Sequence, residues 1–338
     1  QAKNILKDGG FNGYIIPKSF TYASNWTKTR NALLNDISTI VDCSKVWREV
    51  KLEMTIYISQ KNIKTTDFIS CIRVDQNIIE IGRIKKSLCK EFNFILNAVS
   101  EAEINIAIKL LKSPKRLNDF VTNKRGGMFQ SHVSTSGDLN VIAGKQVQRY
   151  FIAKSMGNRV NKKIITDSKS YINENSILVQ NIVAHIQNPV PRIQISATTI
   201  DKTVKANSVI LDTVNQLTNY SKLSPNYLLG VLNSKIISWY TYKFIYANAI
   251  RTMHFDNSTT ARIPFPNIDL EKKLEKKQHD LIAKSVKEIQ EIKTQFLNPL
   301  LQSKKDLLQT KMDYLENKIN AIVSDLFGLS NEEIRSIK

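Results

Sequence analysis

Apolar positions in the first hundred residues change period several times. Asn4 to Lys7 ends at Asp8-Gly9-Gly10 like the last turn of a helix, and Gly13-Tyr14-Ile15-Ile16 is a short apolar strand stopped at Pro17. From Tyr22 to Asn35 the residues Trp26, Leu33 and Leu34 fall on helical spacing. Thr39-Ile40-Val41 and Met54-Thr55-Ile56-Tyr57-Ile58 read as strands, followed by Phe68 to Val74 and Ile78 to Ile81. A helix, strand, helix, strand, strand order with short connections predicts the terminal portion of a doubly wound α/β sheet, so the pattern begins mid-fold.

The texture then changes twice. Glu101 to Leu111 is a helical connector with Ile104, Ile108 and Leu111 on one stripe, ended by Ser113-Pro114. Leu117 to Pro266 holds short β-branched runs separated by Gly, Asn and Pro at uneven spacing, which predicts an irregular sheet domain rather than a sandwich. Within it, Tyr227 to Tyr246 suits one buried amphipathic helix, its aromatics packing in a core rather than stacking on bases. Asp269 to Lys338 carries two apolar stripes, Leu281, Ile289, Ile292 and Phe296, then Leu308, Met312, Leu315, Ile319, Ile322 and Leu326. Asn298-Pro299 interrupts them, predicting an antiparallel hairpin of two long helices. The expected fold class is therefore α/β plus α+β: a sheet remnant over 1–100, a mixed β-rich domain over 101–268 and a helical hairpin over 269–338.

Composition narrows the function. The 338 residues carry 49 Lys and Arg against 30 Asp and Glu, a net charge of +19. Such an excess favours a polyanionic partner, nucleic acid before a membrane surface. Cys43, Cys71 and Cys89 lack metal-ligand spacing and read as small buried side chains in a reducing compartment. With no apolar run approaching the ~18 residues of a membrane span and no signal peptide, the expected location is cytoplasmic. His132, His185, His254 and His279 are scattered, and no Gly-x-Ser-x-Gly or phosphate-cradling glycine loop occurs. Gly126-Gly127 is a turn signal. A catalytic centre confined to this chain is not expected.

The run Leu6-Lys7-Asp8-Gly9-Gly10-Phe11-Asn12-Gly13-Tyr14-Ile15-Ile16-Pro17-Lys18-Ser19-Phe20, with Arg30, Leu33 and Leu34 after it, resembles the later catalytic-domain motifs of adenine-specific DNA methyltransferases. Val41-Asp42, Val46-Trp47, Val50 and Thr55-Ile56-Tyr57-Ile58 resemble the motif that closes that domain. Four further runs resemble the target-recognition domain of TaqI-like, Eco57I-like type II restriction-modification enzymes: Leu117 to Phe120, Val141 to Tyr150, Ile177 to Asn181 and Leu228 to Ser234. The likeness continues through Ala261 to Pro266 and the tail Ile322 to Ile334.

The resemblance implies a remnant of the methyltransferase sheet, then a specificity domain that binds double-stranded DNA. Such enzymes use S-adenosylmethionine, bound by an early strand and glycine-rich turn, and clamp the adenine with an Asn-Pro-Pro-aromatic motif. Here Asn188-Pro189 and Asn298-Pro299 are followed by Val190 and Leu300, and the donor motif is absent. The chain alone is therefore expected neither to bind the donor nor to methylate DNA. It would act with a catalytic half on the same polypeptide or a partner chain, with or without a nuclease.

The resemblance also assigns residues. Trp47 falls where the family stacks an aromatic ring on the extruded adenine, a Trp buried under the sheet edge being the alternative. Base contacts are expected among Arg125, Gln130 and His132, among Lys145, Gln146 and Arg149, and among Asn248, Arg251, Thr252 and His254. Lys154, Arg159, Lys162 and Lys163 suit phosphates. Solvated surface is the alternative for each. Two other classes compete: a stand-alone specificity subunit serving separate methylation and restriction subunits, and a basic scaffold that assembles through its helical hairpin.

Overall fold

Alternating apolar residues in the amino-terminal part pair into a five-stranded sheet. The computed structural model describes residues 2–47, 49–50, 52–153, 157–250 and 253–337, with the side chain of residue 3 left aside. These residues divide into two units, Gln1–Ile108 with Tyr240–Met253, and Lys109–Trp239 with His254–Lys338.

The first unit runs α1 (Ala2–Ile5), β1 (Phe11–Pro17), α2 (Thr27–Leu33), β2 (Ile37–Lys45), β3 (Glu53–Gln60), β4 (Asp67–Val74), β5 (Asn77–Lys85), α3 (Lys86–Glu91) and the start of α4 (Glu101–Leu111). The strand order is β1-β3-β2-β4-β5. β3 is antiparallel to both β1 and β2, so those two run in the same direction with β3 reversed between them. β2 pairs with β4 in parallel and β4 with β5 antiparallel. Phe20, Ile37, Ile40, Phe68 and Ile84 fill the core. The three cysteines are free thiols and buried.

Two sequence expectations change here. The helix expected from Tyr22 begins only at Thr27, because the buried Arg30 guanidinium donates to the carbonyls of Phe20 and Ala23 and holds that stretch as separate turns. In α4 the buried row is Ile104, Ala107 and Leu110, with Ile108 and Leu111 only partly covered.

The second unit begins with β6 (Lys115–Arg116), β7 (Val121–Arg125), β8 (Leu139–Ile142), β9 (Val147–Gln148), β10 (Phe151–Ile152), β11 (Arg159–Val160) and β12 (Ser176–Gln180). It continues through β13 (Ala184–Ile186), β14 (Arg192–Gln194), β15 (Ala197–Thr199), α5 (Lys202–Ala206), β16 (Ser208–Ile210), β17 (Val214–Asn219) and α6 (Pro225–Leu232). Its strands form the sheets β15-β12-β17-β7 and β11-β8-β16, with three two-stranded pairs, an irregular arrangement as expected. The helix expected over Tyr227 to Tyr246 is two, α6 and α7 (Lys235–Phe244). They break at Asn233-Ser234, where the Asn233 amide turns inward and donates to the Ala197 carbonyl. Their aromatics are core residues.

After α8 (Asn257–Thr260) and β18 (Pro264–Phe265) come α9 (Lys273–Gln295), α10 (Gln302–Leu326) and the short α11 (Asn331–Ser336). α9 and α10 pack against each other and against α6, with 298–299 in the connection. Their buried stripes are rotated slightly from the expected ones. On α9 Ile282, Val286, Ile289 and Ile292 are covered, while Leu281 and Phe296 are half-buried; on α10 Val323 replaces Ile322 after Ile319. A straight helix drifts about 20° per heptad from a strict seven-residue repeat, so the contact line moves one residue on.

Candidate nucleic-acid interface

Around the turn joining β16 to β17, three glycines allow close backbone approach. A Cβ at Gly126 would stand 2.3 Å from the Leu211 carbonyl oxygen, at Gly127 2.0 Å from Ser170 Oγ, and at Gly144 2.7 Å from the Thr213 carbonyl oxygen. Backbone bonds from Gly126 to Val214, Gly127 to Ile210 and Asp212 to Gly127 close the cluster, and Thr213 Oγ1 accepts from the Gly144 amide. Asp212 is thus fixed at the tip. Arg125, at the end of the edge strand β7, donates through Nε to the Asp212 carbonyl (2.6 Å) and through Nη2 to Asp212 Oδ2 (2.8 Å). Its side chain stays 53% exposed. Lys145, next to Gly144, is exposed.

A second group is organised by β11. Arg159 donates to the carbonyls of Gly137 and Asp138 and to Asn140 Oδ1, while Asp138 Oδ2 caps the Lys162 amide. Reciprocal backbone bonds join Arg159 to Ser134, drawing in the exposed Gln130 and His132 of the turn before it. Lys162 and Lys163 lie exposed on the turn after β11. The platform under this rim is a cluster of Phe129, Leu139, Val141, Val160, Ile165, Val209 and Leu211. Arg159 therefore braces the rim, and the free basic tips are Lys162 and Lys163.

Two expected base readers turn inward. Gln146 is buried and its Oε1 accepts from the Ala143 amide, closing a tight turn. Arg149 donates to the Asn233 carbonyl and to Glu316 Oε2 of α10, with its guanidinium over the Tyr150 ring. Both side chains are thus engaged within the protein. His254 is exposed beside Ile182, and Asn181 Nδ2 approaches its Nδ1 at 3.3 Å. His279 is structural: Nε2 accepts from the Ser224 amide and Nδ1 donates to Asp280. Arg251, Thr252 and Lys154 lie outside the described residues.

In the first unit, the carboxyl ends of β1 and β2 meet a buried polar network. Lys18 Nζ lies 2.6 Å from Asp42 Oδ2, 3.6 Å from Glu53 Oε1 and 3.3 Å from the Asn248 carbonyl. The other Glu53 oxygen accepts from the Ile250 amide. Burial first and the Glu53 carboxylate second push the Tyr22 hydroxyl up to about 12, and the same causes raise Tyr242. Asn248, expected to read a base, lends its backbone carbonyl to Lys18 from a left-handed conformation, and its side-chain amide lies 3.5 Å from the Ala98 carbonyl. Beyond β2, Val46 packs on Val41, Cys43, Met54 and Cys71, and Trp47 faces solvent at 43% exposure. Within these residues Trp47 is thus not covered by the sheet edge.

Sequence reasoning missed Asp212 and the Lys18–Asp42–Glu53 network. Leu211-Asp212-Thr213 reads only as a turn, and its meeting with Gly126, Gly127 and Gly144 joins positions 69 to 85 residues apart. Among the described residues no three His, Cys, Asp or Glu side chains are placed to hold a metal, and no helix is long and apolar enough to cross a membrane.

Residues 139–265 match the family of the TaqI-like C-terminal specificity domain. The restriction-modification resemblance read from the sequence agrees with that match, which points to DNA recognition. No curated protein sequence matches the chain. Among solved structures, the fold is similar to the type IIL restriction-modification enzyme MmeI in complex with DNA, with a TM-score of 0.57 at 12% identity, covering 96% of this chain and 48% of that one. The type IIG restriction endonuclease BpuSI aligns at a TM-score of 0.37 and 9% identity, over 97% of this chain and 48% of its own. The chain spans about half the length of the solved structures it matches.

Proposed function

We propose, from the specificity domain at 139–265, that this chain is the sequence-specific DNA-recognition portion of an adenine (exocyclic amino) DNA methyltransferase of a restriction-modification system. The family match carries the reading. It is supported by the net charge of +19 and by exposed basic tips at Arg125, Lys145, Lys162 and Lys163 on the second unit. Phosphate contacts from such tips supply affinity, and base edges supply choice.

The catalytic half is assigned elsewhere. β1 is a sheet edge with Phe11, Tyr14 and Ile15 exposed, so apolar side chains stand uncovered on both of its faces. An edge of this kind accepts further strands, on the same polypeptide or a partner chain. The residues present do not fit S-adenosylmethionine: none of β1 to β5 runs into a glycine-rich turn, and the ends of β1 and β2 hold the Lys18–Asp42–Glu53 network. The chain's own contribution to the chemistry is Trp47, whose exposed indole would stack on the extruded adenine and offset part of the few kcal/mol that unpairing costs.

Binding to a randomised duplex pool tests the reading. The 338-residue chain should enrich a defined sequence, and log affinity should fall linearly with log salt by about −0.9 per phosphate neutralised. A flat salt response with no enriched sequence would sink the proposal.

A further inference from the structure

The geometry points to Arg125 as a guanine-reading residue and to Asp212 as the residue that positions it, a refinement that rests on the DNA-recognition reading above. Asp212 occupies one edge of the guanidinium, Nε and one Nη2 proton. Left over are both Nη1 protons and the second Nη2 proton, which present two parallel N–H groups at the far edge of a half-exposed side chain. That is the fork which pairs with O6 and N7 of guanine in the major groove. An unsupported surface Arg would lose rotamer freedom on binding; this one is already held.

The support is rigid for a stated reason. Asp212 sits on a turn clamped by Gly126 and Gly144, where a Cβ would meet the Leu211 and Thr213 carbonyls, and by the backbone bonds of Gly127. The Asp212 amide donates to the Gly127 carbonyl, while Arg125 precedes Gly126 directly. Acceptor and donor are therefore fixed by one backbone cluster, in which a small shift would break several bonds at once. Lys145 follows Gly144 on the rim of that cluster and remains exposed, which suits a phosphate contact flanking the base.

A plain surface ion pair would be the alternative, and the two differ in what they do to sequence preference. The full chain is selected against a randomised duplex pool as wild type, R125A, R125K, D212A and K145A, and affinities are then compared on duplexes carrying each single base change. Thermal midpoints are taken alongside. Wild type should require guanine at one position, and R125A should lose about 5- to 150-fold of the discrimination there with the other positions unchanged. R125K should lose most of it too, because an ammonium lacks the planar fork; its retained charge also serves if R125A does not fold. D212A, which keeps the arginine, should relax preference at that same position while binding to unrelated DNA holds or rises. K145A should weaken all sequences alike and reduce the salt slope by about one. If R125A keeps the wild-type profile, or loses affinity uniformly across sequences, Arg125 is not a base reader. If wild type itself selects nothing, the DNA-recognition reading fails and takes this one with it.

Discussion

Lys18 Nζ lies 2.6 Å from Asp42 Oδ2, with side-chain exposures of 6% and 11%. Two parallel strands separated by the reversed β3 deliver the pair, Lys18 just after β1 and Asp42 within β2. Glu53 and the Asn248 carbonyl complete the ammonium's surroundings. Lys18→Met would leave two carboxylates in a buried place without their cation, and should lower stability by about 3–5 kcal/mol. The urea midpoint should fall at unchanged slope, and adding Asp42→Asn should cost less than in the wild type. Additive losses would show that the two groups do not interact.

Gly230 on α6 faces α9 with no room for a methyl group, since a Cβ there would stand 2.4 Å from Ile282 Cγ2. Gly230→Ala gains about 1 kcal/mol of helix propensity but forces the helices apart, and a net loss of about 1–3 kcal/mol is expected. Ile282→Leu removes the branching methyl, so the double variant should recover part of that loss. Calorimetric midpoints of the four proteins decide it, and a stabilised Gly230→Ala would contradict the close packing.

Burial pushes the Cys89 thiol up to about 12 from its ordinary 9.0. The folded protein thus holds this proton more tightly than the unfolded chain. Below pH 9 the two states are protonated alike, and between pH 9 and about 12 stability should fall as pH rises, by up to about 1.4 kcal/mol per pH unit. Tyr150, raised to about 12 by burial, adds a loss of the same sign above its usual 10.0. Cys89→Ala should give a shallower decline of the thermal midpoint between pH 9 and 10.5 than wild type, and an identical decline would remove Cys89 from the account.

Trp47→Ala should leave the thermal midpoint nearly unchanged, because the ring is 43% exposed while its neighbour Val46 provides the packing. Joined to its catalytic half, the variant should extrude the target base poorly, read as a smaller fluorescence rise from 2-aminopurine at the adenine position. Unchanged extrusion and methylation would return Trp47 to an ordinary surface residue.

Much of the fold was legible because it rests on local periodicity. β1 to β4, α4 and both helices of the hairpin sit where alternation, Pro and Gly place them. The misreadings share a cause, which is that a side chain's partner lay far along the chain. Tyr227 to Tyr246 has one helical period throughout, yet the Asn233 amide bonds to Ala197 and splits it. Ile322 keeps the seven-residue repeat and Val323 leaves it, yet the rotation of a straight helix against α9 selects Val323.

For the candidate interface the division is sharper. Charge excess and the ordered motifs pointed to DNA and to a TaqI-like specificity domain, since both are sums or strings that need no folding. Which basic and amide groups are free to meet DNA was decided by tertiary contacts alone. Gln146 and Arg149 stand beside Lys145 in the chain, yet one closes a turn and the other spans to Glu316, while Lys145 remains in solvent. Arg125 gained a fixed direction only when Asp212 arrived from 87 residues away. Hydrogen bonds and ion pairs act over a few ångströms of space, and no pattern along the chain records which distant groups the fold will bring within that reach.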